Sequence, residues 1–346
     1  MLHRSFDRPT PHERAILRTV VYASLFDYPL TARQVRESLI GAALDEDAIV
    51  ACWRTSPWLQ AVVECRDGWF FPRGCAGFLE IRRRRETASR ALIARQRRLI
   101  RLIGCLPFTR LVALSGSAAH LNAEADGDLD LFIVTRGARV WSVTLTIVAL
   151  ARLARRRALV CANYVMSDRD LRVDEQDLFS ANQIIHLRPI VGGEGFPRFA
   201  AANPCVGRHY PGFVAGAAEV PGLQPGRAAR ALKRAIEVGL SLGAAQAYEA
   251  TCRFVYGRHL RARAHRWRSP EQVRLALDRL KLHTHSHRRA ILERFEREAA
   301  CAEAAATVVA RAGRAGPLGA AREFERNSDR GCAASRSSSA TRLILQ

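Results

Sequence analysis

Residues 111–134 read LVALSGSAAHLNAEADGDLDLFIV, and this stretch decides how the rest of the chain is interpreted. Two apolar runs, 111–114 and 131–134, flank a turn of small residues and an acidic Asp-x-Asp segment. Short apolar runs bounded by such segments are typical of buried strands. Because side chains alternate along a strand, Asp128 and Asp130 are predicted to share one face, about 7 Å apart, with the leucines beside them on the other face.

Two carboxylates on one rigid element suit a hard cation such as Mg²⁺, which takes oxygen ligands and completes its shell with substrate phosphates. Gly116 and Ser117, at the end of the first run, let a phosphate approach the backbone N–H groups. A Gly-Ser turn or an Asp-x-Asp segment alone is common and is then structural. Here the two acids lead into a wholly apolar strand, and buried carboxylates are costly unless they are paired or bound to metal.

The segment Gly116-Ser117, a gap of ten residues and Asp128-Leu129-Asp130-Leu131 resemble the signature of the polymerase-β-type nucleotidyltransferase superfamily. The resemblance implies an α+β fold with a small mixed β-sheet as its nucleotidyltransferase core. It implies that Gly116 and Ser117 hold the β and γ phosphates of a nucleoside triphosphate. Asp128 and Asp130 would be the catalytic residues that bind Mg²⁺, and a third acid on a later strand would help to activate the acceptor hydroxyl.

That later strand is predicted at residues 159–166, LVCANYVM, and it carries no acid. Asn163 is its most polar residue and takes the expected third-acid position. An amide oxygen can coordinate a cation, but an amide is a poor general base. Several acids follow at residues 168–177; they either fold back over the site or, as the composition favours, serve loop solvation and helix capping.

Residues 10–75 resemble a winged-helix module in architecture. The pattern predicts helices at 13–26, 32–40 and 45–54, then a hairpin of strands 59–64 and 69–72 whose turn contains Asp67-Gly68. The third helix opens with three acids, whereas a DNA-reading helix is usually basic. This favours a structural or protein-docking role for the module and leaves DNA binding as the alternative.

The remaining segments are described by composition and periodicity. Residues 76–106 form an Arg-rich linker helix that is either a solvated connection or a cationic wall beside the site. The core is expected at 107–190, an irregular connection at 191–226, a helical region at 227–310 with helices 228–265 and 270–310, and a disordered tail at 311–346. On the second of these helices, His283 and His287 would share a face, as a metal pair or simply as surface histidines.

The whole-chain composition places limits on function. The net charge of +21 comes almost entirely from arginine, with only Lys233 and Lys281 as lysines, and indicates either a polyanion-binding surface or the codon bias of a GC-rich genome. Nine cysteines without a C-x-x-C pair, and no signal peptide, indicate a reducing cytoplasm. The apolar run at 140–151 is too short for a membrane span, so no membrane partner is expected.

The sequence therefore supports two hypotheses. The first is a Mg²⁺-dependent nucleotidyltransferase that transfers a nucleoside monophosphate from a nucleoside triphosphate to an unidentified acceptor, which could be RNA, a protein or a small molecule. The second is a catalytically weak or inactive nucleotide-sensing regulator that binds DNA or a protein partner through the winged-helix-like domain. The departure at Asn163 favours the second hypothesis, and the intact Asp-x-Asp pair favours the first.

Overall fold

The computed structural model describes residues 8–241 and 244–312 and has an α+β fold with two β-sheets. The first unit contains α1 (Pro11–Ser24), β1 (Leu30–Thr31), α2 (Ala32–Glu37), α3 (Glu46–Thr55), α4 (Pro57–Val62), β2 (Val63–Arg66) and β3 (Trp69–Pro72). The strands form a small antiparallel sheet in the order β1-β3-β2.

Local capping explains where the helices of this unit begin. Thr10 and Thr31 each form a reciprocal capping box, with Glu13 and Gln34 respectively. Asp45 caps α3 by accepting a hydrogen bond from the backbone of Ala48. The predicted first three helices are confirmed. The first hairpin strand was placed too early, because the start of the predicted strand is the short helix α4, and the strand runs from Val63 to Arg66.

A long helix, α5, follows at Phe78–Gly104, as its pattern predicts. The central elements are then β4 (Thr109–Ser115), α6 (Gly116–Ala119), β5 (Leu129–Thr135), α7 (Val140–Leu153), β6 (Val160–Ser167), α8 (Leu178–Ile185) and β7 (Arg188–Val191). The C-terminal elements are α9 (Phe196–Ala201), α10 (Pro204–His209), α11 (Arg227–Ser241), α12 (Ala244–Arg261), β8 (Val273–Leu275), β9 (Arg279–Leu282) and α13 (Arg288–Ala312).

The larger sheet has six strands in the order β7-β4-β5-β6-β9-β8. The pair β5 and β6 is parallel, joined by the crossover helix α7, and all other neighbours are antiparallel. Hydrophobic cores lie on both faces of this sheet. Leu131 and Ile133 of β5 point to the face covered by α5 and α7, whereas Phe132 and Val134 point to the face covered by α8, α9 and α13 together with the N-terminal unit.

The predicted helix over residues 270–310 is wrong in its first part. Residues 270–272 form a 3₁₀ turn, and strands β8 and β9 follow and complete the large sheet. His283 and His287 therefore do not share a helical face; they lie in the connection between β9 and α13. The connection at 191–226 also contains the short helices α9 and α10.

Three further expectations have definite outcomes. The helix expected at 228–265 is divided into α11 and α12, with residues 242–243 between them outside the described residues. Most of the predicted tail, residues 313–346, also lies outside the described residues. Among the helices that the structure describes, none is long and apolar enough to cross a membrane, and the run at 140–151 belongs to the buried helix α7.

The Arg-rich helix α5 is not uniformly solvated, because two of its arginines are buried against the N-terminal unit. Arg82 lies over the ring of Tyr28, 3.7 Å from its centroid. The Arg85 guanidinium donates to the backbone oxygen of Phe26 and pairs with Asp27 and Glu124. These contacts attach the N-terminal unit to the loop that precedes β5.

Candidate metal centre

The acidic pair lies at the end of the large sheet where β4 ends and where β5 and β6 begin. The sequence predicts a strand that opens with both acids, but strand β5 begins at Leu129, so Asp130 is in the strand and Asp128 immediately precedes it. Leu129 is fully buried and points to the opposite face, as the alternation predicts. The two carboxylates are therefore on the same side of the sheet.

A cysteine that the sequence analysis did not single out completes this cluster. Cys161 is the register partner of Asp130 on the parallel strand β6. Ligand atoms of Asp128, Asp130 and Cys161 all lie within 4.8 Å of one another, close enough to hold one metal ion. The signal in the sequence was the period-2 spacing of Cys161 and Asn163, which places both on one face of a strand.

Asn163 occupies the position at which the resemblance implies a third acid, and it contacts the acidic pair directly. Its Nδ2 atom donates a hydrogen bond to Oδ1 of Asp130. The register of β5 and β6 shifts just here, so that Phe132 pairs with Tyr164 after Asp130 has paired with Cys161. The shift inserts one extra residue in β6, a β-bulge of the kind that re-aims side chains next to functional sites.

The Gly-Ser segment lies against the same carboxylate. Ser115 at the end of β4 is the register partner of Asp130, and Gly116 and Ser117 begin the one-turn helix α6. Gly116 has a φ of +60°, and a Cβ atom there would collide with Oδ2 of Asp130. Only glycine therefore fits this backbone position without displacing the acid. Within the described part of the chain the Ser117 hydroxyl has no protein hydrogen-bond partner, and it lines a cavity.

Burial and mutual repulsion disfavour negative charge on the groups of this cluster. Burial raises the pKa of Asp130 to about 8, and the charge of Asp128 adds to this effect. Burial also raises the pKa of Asp128, which a hydrogen bond from the Cys161 thiol partly offsets. Burial and the two carboxylates raise the pKa of Cys161 to about 12. Among the described residues, neither aspartate has an arginine or lysine within ion-pair distance, so a divalent cation would supply the missing positive charge.

The acids at 168–177 do not join this cluster. Asp170 and Asp174 pair with Arg279 of β9. Asp177 caps α8 by accepting from the backbone of Ser180, as the capping interpretation predicts. Glu175 comes nearest, since it lines a second cavity with Asp130, but its carboxylate pairs with Lys281.

The cavity beside Asp128 and Asp130 measures about 360 Å³, within the range of small-ligand sites. Its wall on the far side belongs to the N-terminal unit and includes Tyr22, Phe26 and Tyr28. The wall also includes five histidines: His120, His186, His283, His285 and His287.

Two of these histidines form a half-buried pair. The rings of His120 and His186 lie 4.1 Å apart, and burial lowers the pKa of both. Burial likewise lowers the pKa of His283 to about 4. These three imidazoles are therefore neutral at physiological pH and add no charge to the cavity wall.

Searches with this chain against protein-family models, curated proteins and solved structures find no match.

Proposed function

We propose that the protein is a metal-dependent nucleotidyltransferase of the polymerase-β type. The observation that supports this most strongly is the juxtaposition of the Gly116-Ser117 turn with Asp130 at one end of the sheet, beside a cavity of nucleotide-compatible volume. Along the chain, a strand is followed by the Gly-Ser segment, then by the Asp-x-Asp segment and a second strand. This order is the pattern of that superfamily.

In this proposal each residue has a separate task. The backbone N–H groups at Gly116 and Ser117, with the Ser117 hydroxyl, bind the terminal phosphates. Asp128 and Asp130 would hold a divalent cation, with Cys161 as a further candidate ligand and Asn163 donating to Asp130. Such a cation, Mg²⁺ in the simplest case, would supply positive charge to offset the charge that develops on the phosphates. The acceptor oxygen bonds to the α-phosphorus, the bond to the β-phosphate breaks, pyrophosphate leaves, and the hydroxyl proton passes to water.

The test is transfer of an α-labelled nucleotide. The full chain is incubated with each α-labelled nucleoside triphosphate, Mg²⁺ or Mn²⁺, and separate RNA, protein and small-molecule fractions as acceptors. We expect label in one fraction, and at least a hundredfold less with Asp128→Asn combined with Asp130→Asn, because both metal ligands lose their charge. Asp126→Asn is the matched control, since Asp126 is exposed in the same loop. Equal transfer by the double variant and by the control would contradict the assignment.

A nucleotide-sensing regulator is the second candidate, and one feature favours it. The third-acid position holds Asn163, whose amide is engaged with Asp130 and cannot act as a base. The winged-helix-like N-terminal unit, which would bind DNA or a protein, forms part of the cavity wall. Saturable nucleotide binding without label transfer to any fraction would select this function.

A further inference from the structure

A separate cavity, about 500 Å³ in volume, lies at the other end of strand β5 from the acidic pair. Four arginines line it: Arg136, Arg139, Arg169 and Arg253, and we refer to it as the Arg groove. Arg136 directly follows β5, whereas Asp130 lies near its start, which separates the two sites by roughly 20 Å. The Arg groove is therefore distinct from the candidate metal centre.

The positive charge of the Arg groove is largely uncompensated. Its one acid, Glu249, already accepts hydrogen bonds from the backbone N–H groups of Trp141 and Ser142 at the start of α7, each at 2.9 Å. Arg139 donates to the backbone oxygen of Ala245 and so keeps its charge.

The other arginines are freer. Arg136 is exposed and lies 3.9 Å from a carboxylate oxygen of Glu237, which is a weak contact. Arg169 and Arg253 are exposed, and neither forms an ion pair with a carboxylate of the described residues. Three guanidinium groups are thus available to an anionic ligand.

The chemistry of the Arg groove fits a chain of phosphates. A guanidinium binds phosphate oxygens through two parallel N–H donors, and several arginines along one concavity match several phosphates rather than one. A concavity of this kind suits an extended strand better than a flat lipid surface.

We propose that the Arg groove binds the phosphate backbone of single-stranded nucleic acid. This inference concerns a different part of the molecule from the candidate metal centre, and it holds whether or not the protein transfers nucleotides.

The test is binding of a labelled, mixed-sequence single-stranded RNA to the full chain, measured by fluorescence anisotropy over a series of salt concentrations. The groove variant combines Arg136→Gln, Arg169→Gln and Arg253→Gln. The matched control combines Arg95→Gln, Arg97→Gln and Arg98→Gln, three exposed arginines of α5 that change the net charge equally. Thermal melting of both variants verifies that they fold.

We expect the groove variant to bind on the order of tenfold or more weakly, with a salt slope shallower by about 2, because three phosphate contacts are lost. The control variant should keep the wild-type slope. Equal weakening in both variants would show that net charge alone attracts RNA and would overturn the proposal. Preferential binding to anionic phospholipid vesicles, sensitive to the same three arginines, would overturn it in favour of a membrane surface.

Discussion

Asp130 is the residue on which the candidate metal centre depends most. Burial and the Asp128 charge raise its pKa from 3.8 to about 8, so the folded state holds a proton that the unfolded state releases near pH 4. Stability without a bound cation should therefore fall as the pH rises through the window from about 4 to 8. The cost arises because the fold places a carboxylate near the start of β5, next to Gly116.

Replacing Asp130 by Asn should remove this pH-dependent cost. In this variant, the side chain at position 130 still offers an oxygen to which the Asn163 amide can donate, but it no longer carries a charge. In EDTA at about pH 8 we expect Asp130→Asn to stabilise the protein by about 1 kcal/mol or more, or a few degrees in Tm, and to have a much smaller effect near pH 4, where the unfolded state also holds much of the proton. The variant should also lose any rise in Tm on adding a divalent cation.

The measurement is thermal melting of wild type, Asp130→Asn and the control Asp126→Asn at both pH values, with and without metal. A variant that melts below wild type at pH 8 and still responds to metal would contradict the role given to Asp130. A change that Asp126→Asn reproduces would show that net charge, and not the buried position, is responsible.

Cys161 should determine which metals the centre prefers. Thiolates favour softer ions such as Zn²⁺ and Cd²⁺, whereas two carboxylates and an amide suit Mg²⁺ or Mn²⁺. In Cys161→Ser we expect the affinity for Zn²⁺ to fall by tenfold or more, with Mg²⁺ and Mn²⁺ affected less, because only the soft ligand is lost. Zn²⁺, Mg²⁺ and Mn²⁺ titrations by isothermal calorimetry measure this difference.

The control for that experiment is Cys301→Ser, which changes an exposed thiol on α13. Binding of Co²⁺ provides a spectroscopic check, since coordination by Cys161 gives a thiolate charge-transfer band that Cys161→Ser removes. An unchanged band in Cys161→Ser would show that the thiol is not a ligand.

At the scale of single elements, the sequence predicts those helices, strands and caps that depend on neighbouring residues in the chain. The strands around residues 111–134, the long helix α5 and the acidic cap of α8 depend on residues within a few positions of one another, and all are found where expected. The Asp-x-Asp and Gly-Ser segments belong to this class, so four of the site residues could be named from the sequence.

Strands β8 and β9 could not be predicted, because their charged residues are buried by distant partners. Arg279 and Lys281 lie within the predicted helix at 270–310, yet both are buried in the sheet. Their partners Asp174 and Glu175 lie about a hundred residues earlier in the chain. Burial of a charge is tolerable only with such a partner, and no local period reveals it. Cys161 was missed for a related reason, because its position beside Asp130 depends on the register of β5 with β6.

Arg85 of α5 shows how one element attaches the N-terminal unit to the site. Its guanidinium bridges Asp27 and Glu124 and donates to the backbone oxygen of Phe26. We expect Arg85→Ala to destabilise the protein by about 2 kcal/mol, because the two carboxylates are left partly buried without a cation. Chemical denaturation measures the loss.

Arg84→Ala is the control for Arg85→Ala, because Arg84 is the exposed neighbour on the same helix. Destabilisation by the two variants should differ by at least 1 kcal/mol, since an exposed arginine contributes little. Equal, small effects would show that the ion pairs around Arg85 add nothing to the attachment of α5.

At the scale of the whole molecule, the N-terminal unit and the large sheet are joined around a shared cavity. The N-terminal unit supplies the wall with Phe26 and Tyr28, and the large sheet supplies the acidic pair. Tyr28 donates a hydrogen bond to the backbone oxygen of His120, and the Asn122 side chain donates to that of Phe26. A ligand held by the acids would therefore contact segments more than 80 residues apart in sequence.

This arrangement predicts how amide hydrogen exchange responds to ligand, given the proposed function. A nonhydrolysable nucleoside triphosphate with Mg²⁺ should slow exchange at Gly116–Ala119 and at the start of β5, and also at residues 22–30, because the ligand fills the cavity between them. The backbone amides of helix α12, beside the Arg groove, should exchange at the same rate with and without the ligand. Asp130→Asn with the same ligand is the control and should show no protection. Slowing confined to the sheet would mean that the N-terminal unit does not enclose the bound nucleotide, and the sensing function would then lose its structural basis.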